Sequence, residues 1–244
     1  IPTDVIERSF KPSFKSVKVP TKDPRSLRAS TIQPGISIGS VKTSAGTIGA
    51  LVRDRNSKKI VLLSNWHVLQ GPTGELGDDI VQPGRHDDNR TDLNIIGKVL
   101  RSHLGAAGDC AIASISGRSY SGEVLGLEVN INAIADPVLG DRVIKSGRTT
   151  HVTRGIVTRI EVNTRIPYSN NVTASVGGFE IGPDPSAPAP DGEISRAGDS
   201  GSAWLATDAK GKPTTVMLGL HFAGDADGTV AEFALACYAK SVMT

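Results

Sequence analysis

Apolar residues in this chain never run long. They come in short stretches cut by glycine and polar clusters. Ile36–Val41, Thr47–Arg53, Ile60–Ser64, Ile80–Gln82, Ile95–Leu100 and Cys110–Ile115 form one set. Arg142–Lys145, Gly155–Asn163, a segment after Phe179, Ala203–Ala206 and Val216–Phe222 form a second. Runs this short, bounded by turn residues, suit strands; few show the 3.6-residue period of an amphipathic helix. The chain spends 27 glycines and 14 prolines in 244 residues, so turns are plentiful. The pattern predicts an all-β protein. Six such strands close into a small barrel, and closure removes exposed edges. Two sets predict two six-stranded antiparallel β-barrels.

The expected organisation is an N-terminal arm or linker over 1–33, a first barrel over 34–115, a crossover over 116–135, a second barrel over 136–229 and a C-terminal helix over 230–244. The helix is expected within Val230–Val242, where Glu232, Phe233, Ala236, Cys237 and Lys240 fall near helical spacing. Pro183–Gly192 holds four prolines and reads as a loop. The arm is rich in Lys, Pro, Ser and Arg and reads as a solvated tail. A net charge of +2 argues against a nucleic-acid-binding surface. No apolar run approaches the roughly eighteen residues that cross a bilayer, so no membrane partner is expected. Ile1-Pro2-Thr3-Asp4 is neither a leader nor a methionine start, which implies a processed or excerpted chain and leaves room for other domains of a larger protein. Cys110 and Cys237 cannot make a disulfide framework and are read as two buried free thiols. A reducing compartment is therefore permitted. The expected setting is cytoplasmic, with secretion after processing as the alternative.

Three separated motifs carry the chemistry. Ser64-Asn65-Trp66-His67-Val68 ends an apolar run with a histidine. Gly108-Asp109-Cys110-Ala111-Ile112-Ala113 opens an apolar run with an aspartate. Gly198-Asp199-Ser200-Gly201-Ser202 sets a serine between glycines, and Ala203-Trp204-Leu205 follows. Each alone has a plainer reading: a packed core histidine, a strand-end cap, a turn serine. Together they give His, Asp and Ser in that chain order, as opposed to Ser-Asp-His or Asp-His-Ser.

In these motifs, their order and their spacing, the chain resembles the chymotrypsin/trypsin-like serine peptidases from about Pro34 to its C-terminus. Lys145-Ser146-Gly147-Arg148-Thr149-Thr150 is more similar to bacterial and plant trypsin-like peptidases than to digestive trypsins. The resemblance implies a serine endopeptidase acting on protein or peptide substrates, without cofactor or metal. The implied catalytic residues are His67, Asp109 and Ser200. Residues so far apart in sequence meet only if the barrels pack side by side, with the site between them. Gly198 and Ser200 would supply the backbone N–H groups of the oxyanion hole. In activated trypsins the counterpart of Asp199 pairs with a new N-terminus. Ile1-Pro2 does not match that terminus, so either no such activation occurs or another cation meets Asp199.

The resemblance places the pocket for the residue before the scissile bond at Ile194, His221, Phe222, Ala223 and Gly224, with the backbone of Phe222–Gly224 pairing with substrate as an added strand. Trypsins carry an acid six residues before the nucleophile; Ile194 stands there, so an Arg/Lys preference is not implied. Gly219-Leu220-His221-Phe222 is similar to a segment of glutamyl endopeptidases, which implies a Glu preference helped by His221 and Arg196. The other reading is a satisfied barrel histidine and a small apolar pocket closed by Ile194.

Three further readings compete. An α/β-hydrolase needs Gly-X-Ser-X-Gly and alternating strands and helices, and neither is present. Metal binding by His67, His86, His103 and Asp87 or Asp88 matches no ligand spacing, and His86-Asp87-Asp88-Asn89 reads as a solvated turn, with a calcium loop as the alternative. A catalytically silent binding module would be expected to have lost a triad residue.

Overall fold

The computed structural model describes residues 10–11, 23–169, 171–225 and 232–243. In chain order the first half holds β1 (Phe10–Lys11), β2 (Thr31–Ile32), β3 (Ser37–Ser40), β4 (Gly46–Thr47), β5 (Ala50–Arg53), β6 (Ile60–Ser64) and the one-turn helix α1 (Trp66–Leu69). It continues through β7 (Asp79–Val81), α2 (Thr91–Asn94), β8 (Ile95–Gly105), β9 (Gly108–Ala113), β10 (Ser119–Tyr120) and β11 (Ala133–Ile134). The second half holds β12 (Arg142–Gly147), β13 (His151–Ser169), β14 (Val172–Pro183), β15 (Ala203–Thr207), β16 (Pro213–Asp225), β17 (Ala234–Tyr238) and α3 (Ala239–Val242).

The first sheet runs β4-β3-β7-β8-β9-β6-β5. Its ends belong to one stretch of chain. β4 pairs with β3 and β5 pairs with β6. Between them Ile48 N donates to Ile36 O and Gly49 N to Leu63 O, so the sheet curls back on itself. The second sheet runs β16-β15-β12-β13-β14-β17, and β17 pairs back with β16 to close a six-stranded barrel. Ile38, Ile48, Leu62, Ile80 and Ile96 fill the first barrel. Val143, Val157, Phe179, Trp204 and Leu218 fill the second. A third cluster joins Ala50, Leu63 and Ile112 to Leu205, Met217 and Leu220, and this contact sets the barrels side by side. Each large aliphatic side chain so buried contributes about 1.5–3 kcal/mol.

The expected closing helix is only partly present. Ala234–Tyr238 is a strand, and Ala239–Val242 alone is helical. The strand lies between β14 and β16, and Ala234, Leu235, Ala236 and Cys237 are all at most 1% exposed. A strand buried on both faces shows no alternation, so its spacing can mimic a helix. The strand expected over Gly155–Asn163 extends to His151–Ser169 and forms a long hairpin with β14. The arm expected over 1–33 is packed from Asp23 onward. The buried Arg25 guanidinium donates to Gly35 O at 3.0 Å, Ser146 Oγ at 2.7 Å and Leu125 O at 3.1 Å, tying the crossover to both barrels. The arm's residues 1–9 and 12–22 lie outside the described residues, as do 226–231 of the expected final segment. Both cysteines are free thiols.

Candidate active site

β6 pairs antiparallel with β9, Ser64 opposite Ala111, so the turn after β6 lands beside the start of β9. Asn65 Nδ2 donates to Asp109 O at 2.7 Å and holds the two segments together. α1 then presents His67 to Asp109. The His67 Nδ1···Asp109 Oδ2 distance is 2.5 Å, and the His67 backbone N–H donates to Oδ1 at 3.2 Å. A carboxylate only accepts, so Nδ1 carries the proton and Nε2 of the neutral ring is the basic nitrogen. Asp109 is fully buried.

A further donor reaches Asp109 from the second barrel. Tyr168, near the end of β13, donates from Oη to Oδ2 at 2.7 Å. Its ring meets Trp66 edge-on at 5.5 Å and lies 5.7 Å from the His67 ring. Burial and the neighbouring carboxylate push the Tyr168 hydroxyl well above its ordinary pKa, so it remains a donor. An open cleft of about 520 Å³ passes His67 and Tyr168 and is lined also by Thr43, Pro72 and His86.

Ser200 lies in a tight loop pressed against the first barrel. Thr47 N donates to Ser200 O at 2.7 Å, and Gly201 N to His221 O at 2.9 Å. Gly46 fits between Ser200 O and the side chain of Val68, the neighbour of His67; a Cβ there would overlap Val68 and lie 2.8 Å from Ser200 O. This packing brings the serine loop to the histidine helix. Gly201 has φ +93°, and a Cβ there would strike Ser64 and the Thr47 carbonyl, so the glycine after the serine is required twice over. Ser200 is 1% exposed, and its Oγ makes no hydrogen bond with the described residues. Among the described residues, none accepts from the Gly198 or Ser200 N–H.

Asp199 is held by a cation from within the second barrel. Lys145 Nζ lies 3.3 Å from Oδ2, with both side chains fully buried. Thr150 Oγ1 donates to Oδ2 at 2.6 Å, Arg196 N to Oδ2 at 2.9 Å, and Thr149 N to Oδ1 at 2.8 Å. Burial raises the Asp199 pKa, but Lys145 and these donors outweigh it, and the carboxyl sits below its ordinary value. Burial lowers the Lys145 pKa, and Asp199 opposes that. Beneath the loop, Arg148 pairs with Asp87 through both Nη2 and Nε, the latter at 2.9 Å, and Ser37 Oγ donates to the same carboxylate at 2.5 Å. The His86–Asn89 segment is therefore no simple solvated turn: Asp87 points inward to Arg148, while Asp88 pairs with Arg90.

The expected pocket residues divide. Ile194 is fully buried in the second barrel's core beside Trp204 and Leu218. Phe222 packs with Trp66 and Tyr168. Ala223 is also fully buried. Gly224 lies against Ser195: a Cβ on it would come 2.7 Å from Ser195 Oγ. His221 is fully buried, neither ring nitrogen has a hydrogen-bond partner among the described residues, and the Trp204 ring meets it edge-on at 6.4 Å. Burial, with the Lys145 cation, pushes its pKa down to about 3. Arg196 is engaged by Asp191 at 3.0 Å and Glu193 at 4.0 Å. Glu232 Oε1 accepts from Ser195 N at 3.3 Å, and burial and neighbouring Glu193 push its pKa up to about 8.

Tyr168, Lys145 and Glu232 were not singled out by their sequence context as site residues. Two had a signal in the sequence: Thr164, Ile166 and Tyr168 alternate inward along β13, and Lys145 opens the Lys145–Thr150 motif, while the mismatch of Ile1-Pro2 called for another cation at Asp199.

These features define the double-barrel chymotrypsin-like fold. No family model matches the sequence, and no curated protein matches it. Solved structures do. Thermobifida fusca Protease A is 18% identical with a TM-score of 0.61, over 87% of this chain and 94% of that one. Cellulomonas bogoriensis chymotrypsin is 16% identical with a TM-score of 0.59, over 87% and 94%. A glutamic acid-specific serine protease that uses a histidine triad in substrate binding is 19% identical with a TM-score of 0.62, over 87% and 96%. At these identities the likeness is one of fold.

Proposed function

We propose that this chain is a serine endopeptidase. The observation that carries the proposal is the buried Asp109–His67 pair, its basic nitrogen on the far side of the ring from Asp109, with the serine loop held to the same barrel by the Thr47 N–H and packed through Gly46 close to Val68, the neighbour of His67. Water attacks amides slowly, and a serine hydroxyl is weak until a base takes its proton. His67 Nε2 takes the Ser200 proton as Oγ bonds to the scissile carbonyl carbon. The carbonyl π electrons move to its oxygen, which the Gly198 and Ser200 N–H groups receive; each such donor contributes about 3–4 kcal/mol. Nε2 then protonates the leaving amine, the C–N bond breaks, and water repeats the sequence on the acyl-enzyme. Asp109 stabilises the imidazolium formed in each half. A silent binding module is the reading from another class, and the complete set of triad residue types weighs against it.

A neutral, buried His221 offers an acidic side chain no charge, and Arg196 is already paired. The glutamate-specific protease above uses three histidines; here Trp204 lies beside His221 and Ala236 pairs opposite it. Glu232 beside Ser195, its pKa pushed up to about 8, adds no fixed charge at neutral pH, so with His221 neutral and Arg196 paired, uncharged residues before the scissile bond are preferred to glutamate. Peptides varying only at that position test this: faster cleavage after Glu than after Ala or Leu overturns it. For the activity itself, an organophosphonate probe is expected to label Ser200, and Ser200→Ala to lower turnover about a millionfold. A folded Ser200→Ala protein retaining a few per cent of activity would refute the assignment.

A further inference from the structure

The edge of β16 just past the serine loop already carries a strand from elsewhere in the chain. β1 pairs with it antiparallel, Phe10 opposite Asp225 and Lys11 opposite Gly224. β17 takes the other side of β16, where Asp225 N donates to Phe233 O at 3.2 Å. Successive residues of a strand send their N–H groups to opposite sides, so the Gly224 N–H faces β1. This is the edge read above as the acceptor of substrate backbone.

Direction identifies the kind of occupant. The serine loop meets β16 at His221, whose carbonyl accepts from Gly201 N. A peptide that delivers a bond to Ser200 from its N-terminal side must run from Asp225 toward His221, antiparallel to β16. β1 runs that way. A strand in the opposite direction would cap the edge equally well and would not resemble substrate.

We propose that Phe10–Lys11 of the N-terminal arm occupies the substrate's backbone position on β16 and acts as a tethered competitor of peptide substrates. The proposal rests on the peptidase reading. Eleven residues separate Lys11 from Asp23, and Asp23 is anchored to His151 Nε2 at 2.7 Å and to Arg25 N at 2.9 Å. A tether of that length holds the arm at an effective concentration on the order of millimolar, so a pairing too weak to form between separate molecules still competes.

The test uses the full chain carrying Phe10→Pro and Lys11→Pro together, which removes both backbone donors whichever faces β16. The reference is the unaltered chain, and two quantities are read: KM for a fluorogenic peptide that the unaltered chain cleaves, and exchange of the Gly224 amide. The expected result is a KM at least about threefold lower with kcat unchanged, and Gly224 exchange at least about tenfold faster. A synthetic Ile1–Ser16 peptide, added to the variant at the millimolar concentration the tether supplies, should raise KM again, competitively. Faster exchange with unchanged KM means the arm sits on the edge without competing, and overturns the proposal. Unchanged exchange overturns it outright. If no peptide is cut and Ser200 resists the probe, the peptidase reading and the competitor fall together; Gly224 exchange then reports only whether the arm occupies the edge.

Discussion

Asp109 and Asp199 are both fully buried carboxylates, and they are treated in opposite ways. Asp199 faces a buried lysine and several donors from the Thr149–Thr150 turn and Arg196. Its charge is cancelled where it stands, and the serine loop is fixed around it. Among the described residues Asp109 receives donors but no permanent cation: the His67 ring and backbone, and the Tyr168 hydroxyl. Dipoles stabilise the carboxylate without cancelling its field, so that field remains to stabilise a proton arriving on His67. A buried charge met by a fixed counter-charge makes an anchor, whereas one met by dipoles and a titratable ring makes a working group.

The largest expected effect breaks the working acid. Asp109→Asn keeps the shape but can present an amide N–H to Nδ1 and force the wrong tautomer. Turnover should fall about ten-thousandfold with the fold intact. A loss smaller than about tenfold in steady-state kinetics would remove Asp109 from the mechanism.

The anchor should fail as stability rather than as chemistry. Lys145→Met leaves Asp199 buried without its cation and should cost about 3–5 kcal/mol in urea unfolding. Adding Asp199→Asn in the same chain should recover part of the loss. If Lys145→Met costs less than about 1 kcal/mol, the two carboxylates do not differ as described.

His221 tests the same low-dielectric region by titration. Its folded pKa lies near 3 against an ordinary 6.5, so the folded chain binds fewer protons between those values. The stabilisation is complete above pH 6.5 and is lost as pH falls toward the folded value. Between pH 6.5 and 5 the chain should lose about 2 kcal/mol that a folded His221→Leu variant keeps. Parallel stability curves for the two proteins would show that His221 takes up its proton without penalty.

The smallest effect sharpens the comparison. Tyr168→Phe removes one dipole from Asp109 and leaves the others, so kcat/KM should fall about tenfold. The hydroxyl's positive end faces the carboxylate, and its loss makes the field at His67 more negative. The acid limb of the kcat/KM profile should therefore move to higher pH. An unchanged profile with a lower melting temperature would reduce Tyr168 to a packing residue.

The strand-rich fold and the three local motifs are legible along the chain. Ile60–Ser64 is legible because Val61, Leu62 and Leu63 form a bounded apolar run, and β6 has those same limits. Gly201 is legible in its motif, although the Ser64 side chain that requires it lies in the other barrel. What surrounds the motifs is set by how the two barrels pack. Tyr168 reaches Asp109 across 59 positions, Lys145 reaches Asp199 across 54, and Glu232 reaches Ser195 across 37. No local period encodes such pairings, because each partner's side chain also suits an ordinary strand or loop. β17 departs from the expected helix for the same reason: Ala234-Leu235-Ala236-Cys237 has no strong local preference, and its state is set by pairing with β14 and β16 on both sides. Backbone preference and burial pattern act over a few residues and are written along the chain. The placing of a charge, a dipole or a doubly paired strand depends on what closure of the barrels brings beside it.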